Sequence, residues 1–173
     1  MNRIAILAIA CLLTLPASAL AQTRSRTSRA KATRKQTSAQ ANAEARTNGA
    51  TRVADQIKNL TRFVYLLGGV GKGIEQVDEA ARRNEASPAA IDQNNRNKLT
   101  VKASLQNVRE GLDQLEITFR STPELEKYYL KLAGSAAGAA TAEDQAAASH
   151  FDQAGRTMLG VVNRLTDVLL AMR

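Results

Sequence analysis

The feature that most constrains this fold is an apolar stripe near the C-terminus. Its members alternate at steps of four and three residues: Ala147, Phe151, Ala154, Met158, Val161, Leu165, Val168 and Met172. This spacing keeps all of them on one face of an α-helix. Thr141 provides a helix cap, and the acids Glu143 and Asp144 behind it favour the helix dipole. The pattern predicts one long amphipathic helix over 142–172.

Two further stripes with helical spacing precede it. The first consists of Val53, Ile57, Leu60, Val64 and Leu67, followed after a phase slip by Ile74, Val77 and Ala81. The second consists of Val101, Leu105, Val108, Leu112, Leu115 and Phe119. Ser87 and Pro88 indicate where this second helix begins, because serine caps helices and proline suits their first position. Asn94 and Lys98 continue the stripe with polar residues, so we expect that end to be looser or exposed.

A short fourth helix is predicted over 123–133, with Thr122 as its cap and Gly134 beyond its end. Its packing face consists of Leu125, Tyr128, Tyr129 and Leu132. The stretch 134–141, GSAAGAAT, is predicted to be a flexible link, and no segment alternates as a strand does. The predicted fold is all-α: an antiparallel bundle of three long helices plus one short helix over 50–173. We expect a signal peptide and a disordered basic tail to precede it.

Residues 1–21 have the three-part pattern of a secretory signal peptide. Arg3 supplies a positive charge, Ile4–Leu15 is a nearly unbroken apolar run, and Ala19 to Ala21 form a small-x-small cleavage site. The apolar run is shorter than the roughly 20 residues that span a bilayer. The pattern predicts export, a mature chain starting at Gln22 without a transmembrane anchor, and a periplasmic or secreted location.

The only cysteine, Cys11, lies within this leader. Cleavage before Cys11 and its acylation, as in a lipoprotein, is the alternative, although Ala8 to Ala10 match the usual lipobox poorly. Cleavage after Ala21 removes the thiol. Disulfides, thiolate catalysis and cysteine-bound zinc are then excluded for the mature chain.

The high net charge of the chain, +8, comes mainly from residues 22–49. This segment has no Val, Ile, Leu, Met or aromatic residue and one acid, Glu44. Because it has nothing to bury, we expect it to be disordered. Its six clustered cations are Arg24, Arg26, Arg29, Lys31, Arg34 and Lys35. They suit either a solvated spacer, the favoured interpretation, or an arm that contacts polyanions such as envelope polymers or lipid head groups. Without interleaved aromatic residues, sequence-specific nucleic-acid binding is not expected.

The glycine cluster Gly68, Gly69, Gly71 and Gly73 invites comparison with a phosphate-binding loop. The GxxxxGK[ST] motif fails at its first glycine, where Leu66 stands, and at its Ser/Thr position, which is Gly73. The GxGxxG motif fails at Gln76. We therefore interpret the four glycines as a helix kink or a site of close helix packing, in which Gly69 and Gly73 share a face. A ligand notch is the alternative.

No pattern of catalytic or metal-binding residues is found. His150 is the single histidine, and no second histidine exists to complete a metal site. A haem held by His150 with Met158 or Met172 stays open, although Met158 reads as core. The acids recur at the spacing of an exposed helix surface, and no GxSxG nucleophile motif is present. We therefore predict a non-enzyme that has no cofactor.

Three functions remain. The first is a non-enzymatic interaction or structural module of the cell envelope, with a protein partner or self-association, because long 3-4 stripes are also satisfied between chains. The second is polyanion binding through the basic tail. The third is a small-ligand carrier with a slot near Gly68–Gly73 and the polar patch at Asn94 and Lys98.

Overall fold

The computed structural model describes the backbone of residues 22–173, with side-chain surroundings from Ser38 onward. The predicted signal peptide and Cys11 lie outside the described residues. The described residues divide into 22–40 and a compact unit, 41–173. The described part contains helices and no strand: α1 (Gln22–Arg82), α2 (Pro88–Ser121), α3 (Glu126–Leu132), α4 (Ser135–Ala147) and α5 (Phe151–Ala171). The predicted all-α bundle is thereby confirmed.

Within the unit 41–173, α1 is antiparallel to both α2 and α5. Towards α2, a Cβ at Gly111 would lie 2.8 Å from Gln56 Nε2. Nearer the C-terminal end of α1, the Lys98 ammonium contacts the Asp78 carboxylate. Towards α5, a Cβ at Gly49 would lie 3.1 Å from Met172 Cε, and a Cβ at Gly71 would lie 2.7 Å from Phe151 Cβ. Residue numbers therefore rise along α1 as they fall along each neighbour.

Helix α4 closes the bundle because it packs on both α2 and α5. The Glu116 carboxylate accepts a hydrogen bond from the Ala136 N–H at 3.0 Å, which ties the start of α4 to α2. Gly138 allows close contact with Val161 on α5, since a Cβ there would lie 2.7 Å from a Val161 methyl. The four longer helices thus form a ring in the order α1, α2, α4, α5, with α3 linking α2 to α4.

The three predicted stripes form one apolar core. Its fully buried large side chains include Leu60, Ile74, Leu105, Leu112, Phe119, Met158 and Leu165. The predicted start of α2 is also confirmed: the Ser87 hydroxyl accepts a hydrogen bond from the Ala90 N–H, and Pro88 occupies the first turn. The short helix predicted over 123–133 is present as α3, but it begins later, at Glu126. Thr122 caps the C-terminal end of α2 instead of the start of α3.

The prediction of one helix over 142–172 is wrong. The backbone turns at residues 148–150, where Ser149 adopts a left-handed φ of 62°. The Ser149 N–H bonds to the Ala146 carbonyl and the His150 N–H to the Gln145 carbonyl, the pairing of a Schellman helix end. Glycine usually marks this position, so serine gave no stop signal. The predicted stripe holds from Phe151 to Met172, whereas Ala147 is exposed.

The prediction of a flexible link over 134–141 is also wrong, because α4 begins at Ser135. Its buried face consists of Ser135, Ala136, Ala139, Ala142 and Ala146. Alanine is the strongest helix former, and its small side chain lets the backbones of neighbouring helices approach closely. The stretch therefore folds as a tightly packed helix.

Residues 22–49 differ from the prediction of disorder in their backbone, since α1 begins at Gln22. Alanine, arginine, lysine and glutamine make up most of this segment, and all four favour helices. The absence of large apolar residues affects packing more than it affects backbone conformation. Arg46 donates a hydrogen bond to the Met172 carbonyl at 3.1 Å, and Gly49 is buried, so the packed part begins before the predicted boundary at residue 50.

Candidate binding groove between the first and last helices

The glycine cluster lies within α1, which stays α-helical through all four glycines. This is not the strand–loop–helix geometry that a phosphate-binding loop needs. Gly71 is the buried member of the cluster. A Cβ at this position would lie 2.7 Å from the Cβ of Phe151, so only glycine lets α1 and α5 approach so closely here.

The other three glycines do not serve close packing. A Cβ added at Gly68, Gly69 or Gly73 would meet nothing within 4 Å. The prediction that Gly69 and Gly73 share a close-packing face is therefore wrong. The helix phase explains this result: Gly71 lies in line with buried Leu67 and Ile74, whereas Gly69 and Gly73 turn outward.

A groove of about 400 Å³ runs between α1 and α5 beside Gly68. It is lined by Val64, Leu67, Gly68, Gly71, Lys72, Glu75, Phe151, Asp152, Gly155, Arg156 and Leu159. Gly155 on α5 also has open space where a Cβ would stand. The groove exists because each of its walls has a glycine where a side chain would otherwise fill it. Buried Leu67 and Phe151 close it towards the core.

The rim of the groove has two cations and two anions. Lys72 and Glu75 lie on α1, and Asp152 and Arg156 lie on α5. Arg156 Nη2 is 2.6 Å from Asp152 Oδ2, an exposed pair one helical turn apart. An apolar floor with a charge-balanced rim suits an amphipathic surface better than a strongly charged ligand.

Large apolar side chains are exposed beside the groove. Tyr65 is 82% exposed on α1, one turn before Gly68, and Leu159 is 48% exposed on α5. The other five aromatic side chains, all in the described part of the chain, are buried or partly buried. An exposed aromatic residue next to an open apolar groove is typical of an interaction surface.

The polar residues of α2 do not belong to this groove. Asn94 is only 4% exposed, and its amide donates to Asp78 Oδ1 at 2.8 Å. Lys98 Nζ contacts the same carboxylate at 2.7 Å. The expectation that this end is loose or exposed fails for Asn94, because Asp78 provides its partner. Neither Asn94 nor Lys98 lines the groove, and a small-ligand slot near Gly68–Gly73 stays a prediction.

Asn94 Oδ1 is buried without a hydrogen-bond partner. A buried amide between two helices restricts them to the register in which its polar partners meet it. Asn94 and Asp78 thus align α1 with α2. We assign them this structural role.

The six basic residues proposed to contact polyanions, Arg24, Arg26, Arg29, Lys31, Arg34 and Lys35, have helical backbone. Their side chains lie outside the residues whose surroundings the structure describes. Polyanion contact through them stays a prediction.

The described residues offer no catalytic arrangement that sequence reasoning missed. No group of three or more histidine, cysteine, aspartate or glutamate side chains among them could hold a metal ion. His150 is exposed at the start of α5, whereas Met158 and Met172 are buried in the core. The pKa of Glu79 is lowered by a hydrogen bond from Arg82, which favours its charged form on an open helix surface.

Comparison with known proteins finds no matching family model, no similar curated protein and no similar solved structure. Along the helices of the described part, no stretch combines the length and the apolar character needed to cross a bilayer. Function must therefore be argued from the groove and from the charge distribution.

Sequence reasoning singled out Gly68 and Gly71 but missed Gly155 and Tyr65. Gly155 falls four residues after Phe151, beside the apolar stripe, and Tyr65 is an aromatic residue next to the stripe position Val64 of the first helix. A search for glycines and aromatics at the edges of stripes would have found both. Their proximity required the pairing of α1 with α5.

Proposed function

We propose that this chain is a non-enzymatic protein-binding module of the cell envelope, and that the α1–α5 groove is its binding surface. The observation that carries the proposal is the apolar groove with a glycine on each wall, together with exposed Tyr65 one helical turn before Gly68. Protein interfaces are centred on apolar pockets and aromatic residues of this kind. The envelope location rests on the signal-peptide pattern of residues 1–21.

The charge of the bundle supports a protein partner. From Thr51 onward there are 16 basic and 15 acidic residues, so this part has almost no net charge. A surface of this kind gives little long-range attraction for polyanions. Recognition by the groove therefore depends on shape and on apolar contact.

The proposal is tested by filling the groove. Gly155→Leu places a side chain into the open space between α1 and α5. Gly160→Leu is the matched control, because Gly160 also has open space around it and does not line the groove. Both variants gain helix propensity of about 1 kcal/mol, so both chains should fold.

The readout is photo-crosslinking of the full chain in expressing cells, from a reactive residue at Lys72 on the rim. We expect a defined crosslinked product that is lost in Gly155→Leu and kept in Gly160→Leu. A reactive residue at exposed Asn107 on α2 should not give this product. Equal crosslinking from positions 72 and 107, or no effect of Gly155→Leu, would contradict the proposal.

Polyanion binding by the basic segment is the second candidate, favoured by its concentration of charge. Residues 22–49 contain seven lysines and arginines against the single acid Glu44. Counterion release makes such binding fall steeply with salt. We expect alanine substitution of Arg24, Arg26 and Arg29 to weaken binding to anionic vesicles, whereas Gly155→Leu leaves it unchanged. Binding that persists in high salt would exclude this candidate.

A further inference from the structure

Tyr65 has the properties of a side chain that inserts into another molecule. It is 82% exposed, whereas the other five aromatic side chains are buried or partly buried. Tyrosine supplies a large contact area at a low cost in conformational entropy. Tyr65 also lies three residues before Gly68, so the two positions are neighbours on the same side of α1.

The groove has the properties of a hole that such a side chain fills. Gly68 and Gly155 leave its two walls open, and Leu67 and Phe151 give it an apolar floor. The groove volume of about 400 Å³ leaves room for an aromatic ring. The projecting side chain and the hole therefore lie one helical turn apart on one face. In a two-fold interface the same surface patch of each copy faces the other copy. The projecting side chain and the hole must therefore both belong to that patch.

We propose that the groove binds a second copy of this chain, and that Tyr65 of each copy inserts between Gly68 and Gly155 of the other. This proposal rests on the proposed function, since it names the occupant of the same groove. The two copies face each other with their α1 helices antiparallel. The two-fold axis is perpendicular to α1 and lies beside it, at the height midway between Leu66 and Leu67. Position 65 of one copy is therefore opposite position 68 of its partner.

Charge complementarity favours this register. The same axis places Lys58 of one copy opposite Glu75 of the other, and this contact occurs twice in a symmetric dimer. Lys58 Nζ already lies 3.1 Å from Asp55 Oδ1 on its own helix. In the dimer it would therefore lie between two carboxylates, Asp55 of its own copy and Glu75 of the other. Exposed pairs of this kind contribute more to specificity than to affinity. They select the antiparallel register, and Tyr65 supplies the contact area.

The first measurement is the molar mass of the full mature chain by size-exclusion chromatography with light scattering. We expect a dimer. Tyr65→Ala removes the inserting side chain, and Gly155→Leu fills the hole. Each should raise the dissociation constant roughly tenfold or more, as truncation of a central interface aromatic does. Leu130→Ala and Gly160→Leu are the matched controls, because both sites are exposed and lie outside the groove.

The decisive measurement mixes the two weakened variants. In a mixed dimer, Tyr65 of the Gly155→Leu copy enters the intact hole of the Tyr65→Ala copy. At the second contact, the new leucine occupies the space that the missing tyrosine leaves. We therefore expect an equimolar mixture to form a one-to-one heterodimer that is tighter than either homodimer. A general loss of stability in either variant would not produce this rescue.

The outcomes separate this inference from the function on which it rests. A monomeric chain, or a mixture that does not form the heterodimer, overturns the inference. If the chain is monomeric and Gly155→Leu still abolishes crosslinking from Lys72 to a different protein, the binding module stands with another occupant. If Gly155→Leu changes neither measurement, both proposals fall.

Discussion

Helices α4 and α5 lie side by side, yet different interactions hold them in the bundle. Helix α5 buries large side chains, including Met158 and Leu165, along one face. Helix α4 buries four alanines and Ser135. Burial of a large aliphatic side chain contributes about 1.5–3 kcal/mol, whereas the single methyl of alanine contributes about 0.8 kcal/mol. Apolar burial is therefore much smaller for α4 than for α5.

Polar contacts at both ends and along its length supplement the packing of α4. Glu116 caps its first turn, Arg109 Nε lies 3.2 Å from Glu143 Oε2, and the Thr157 hydroxyl donates to Gln145 at 2.8 Å. The comparison shows that an alanine helix can be buried where close approach and hydrogen bonds replace large side chains. The periodicity of large apolar residues in the sequence identifies a helix such as α5 but not one such as α4.

The largest expected effect is in α5. Leu165→Ala should lower the free energy of unfolding by about 2–5 kcal/mol, because it leaves a cavity where Leu165 is fully buried. Denaturant unfolding followed by circular dichroism measures the change. Leu170→Ala is the control, since Leu170 is exposed on the same helix. Similar losses in the two variants would contradict a core formed by the stripe.

The opposite change tests α4. Ala139→Leu should lower the free energy of unfolding by about 1–3 kcal/mol, because Ala139 is fully buried and the neighbouring helices must move apart. Ala137→Leu, on the exposed face of α4, should change stability little in the same denaturation assay. Tolerance of leucine at position 139 would mean that α4 is loosely packed.

The ion pair between Arg109 and Glu143 should have a smaller effect. The Glu143 side chain is 15% exposed, so its contact with Arg109 is partly shielded from solvent. A double-mutant cycle with Arg109→Gln and Glu143→Gln should give a coupling energy of about 1 kcal/mol. The same cycle on the exposed pair Asp152 and Arg156 should give roughly 0.3–0.5 kcal/mol. Equal couplings would remove the special role of polar contacts at α4.

A small gain in stability is expected at the turn that joins the two helices. Ser149→Gly should raise the free energy of unfolding by about 0.5–1 kcal/mol, because glycine adopts the left-handed φ of 62° without steric cost. Asn84→Gly, at the left-handed end of α1, should gain less, since asparagine tolerates this region. The shift in the denaturation midpoint measures both. A loss of stability in Ser149→Gly would mean that serine has a specific role in the turn.

The candidate site was only partly predictable. The four glycines stood out, but which of them packs and which lines a groove depends on the angle at which α5 meets α1. Gly71 meets Phe151, and Gly68 lines the same groove as Gly155, because α1 and α5 pack against each other in this register. Sequence spacing shows which residues share a helix face. It does not show which residue of another helix lies opposite.

The sequence by itself determined the helical character of this protein and most of its core. Spacing of three and four residues identified the buried faces of α1, α2 and α5, because that spacing matches the helical repeat. Only the tertiary structure decided the break at Ser149, the burial of the alanine helix α4, the pairing of Asn94 with Asp78, and the groove at Gly68 and Gly155. The last three depend on contacts between residues that are distant in the chain. The break depends on the left-handed φ of Ser149, which is usually found at glycine and which serine does not signal in the sequence.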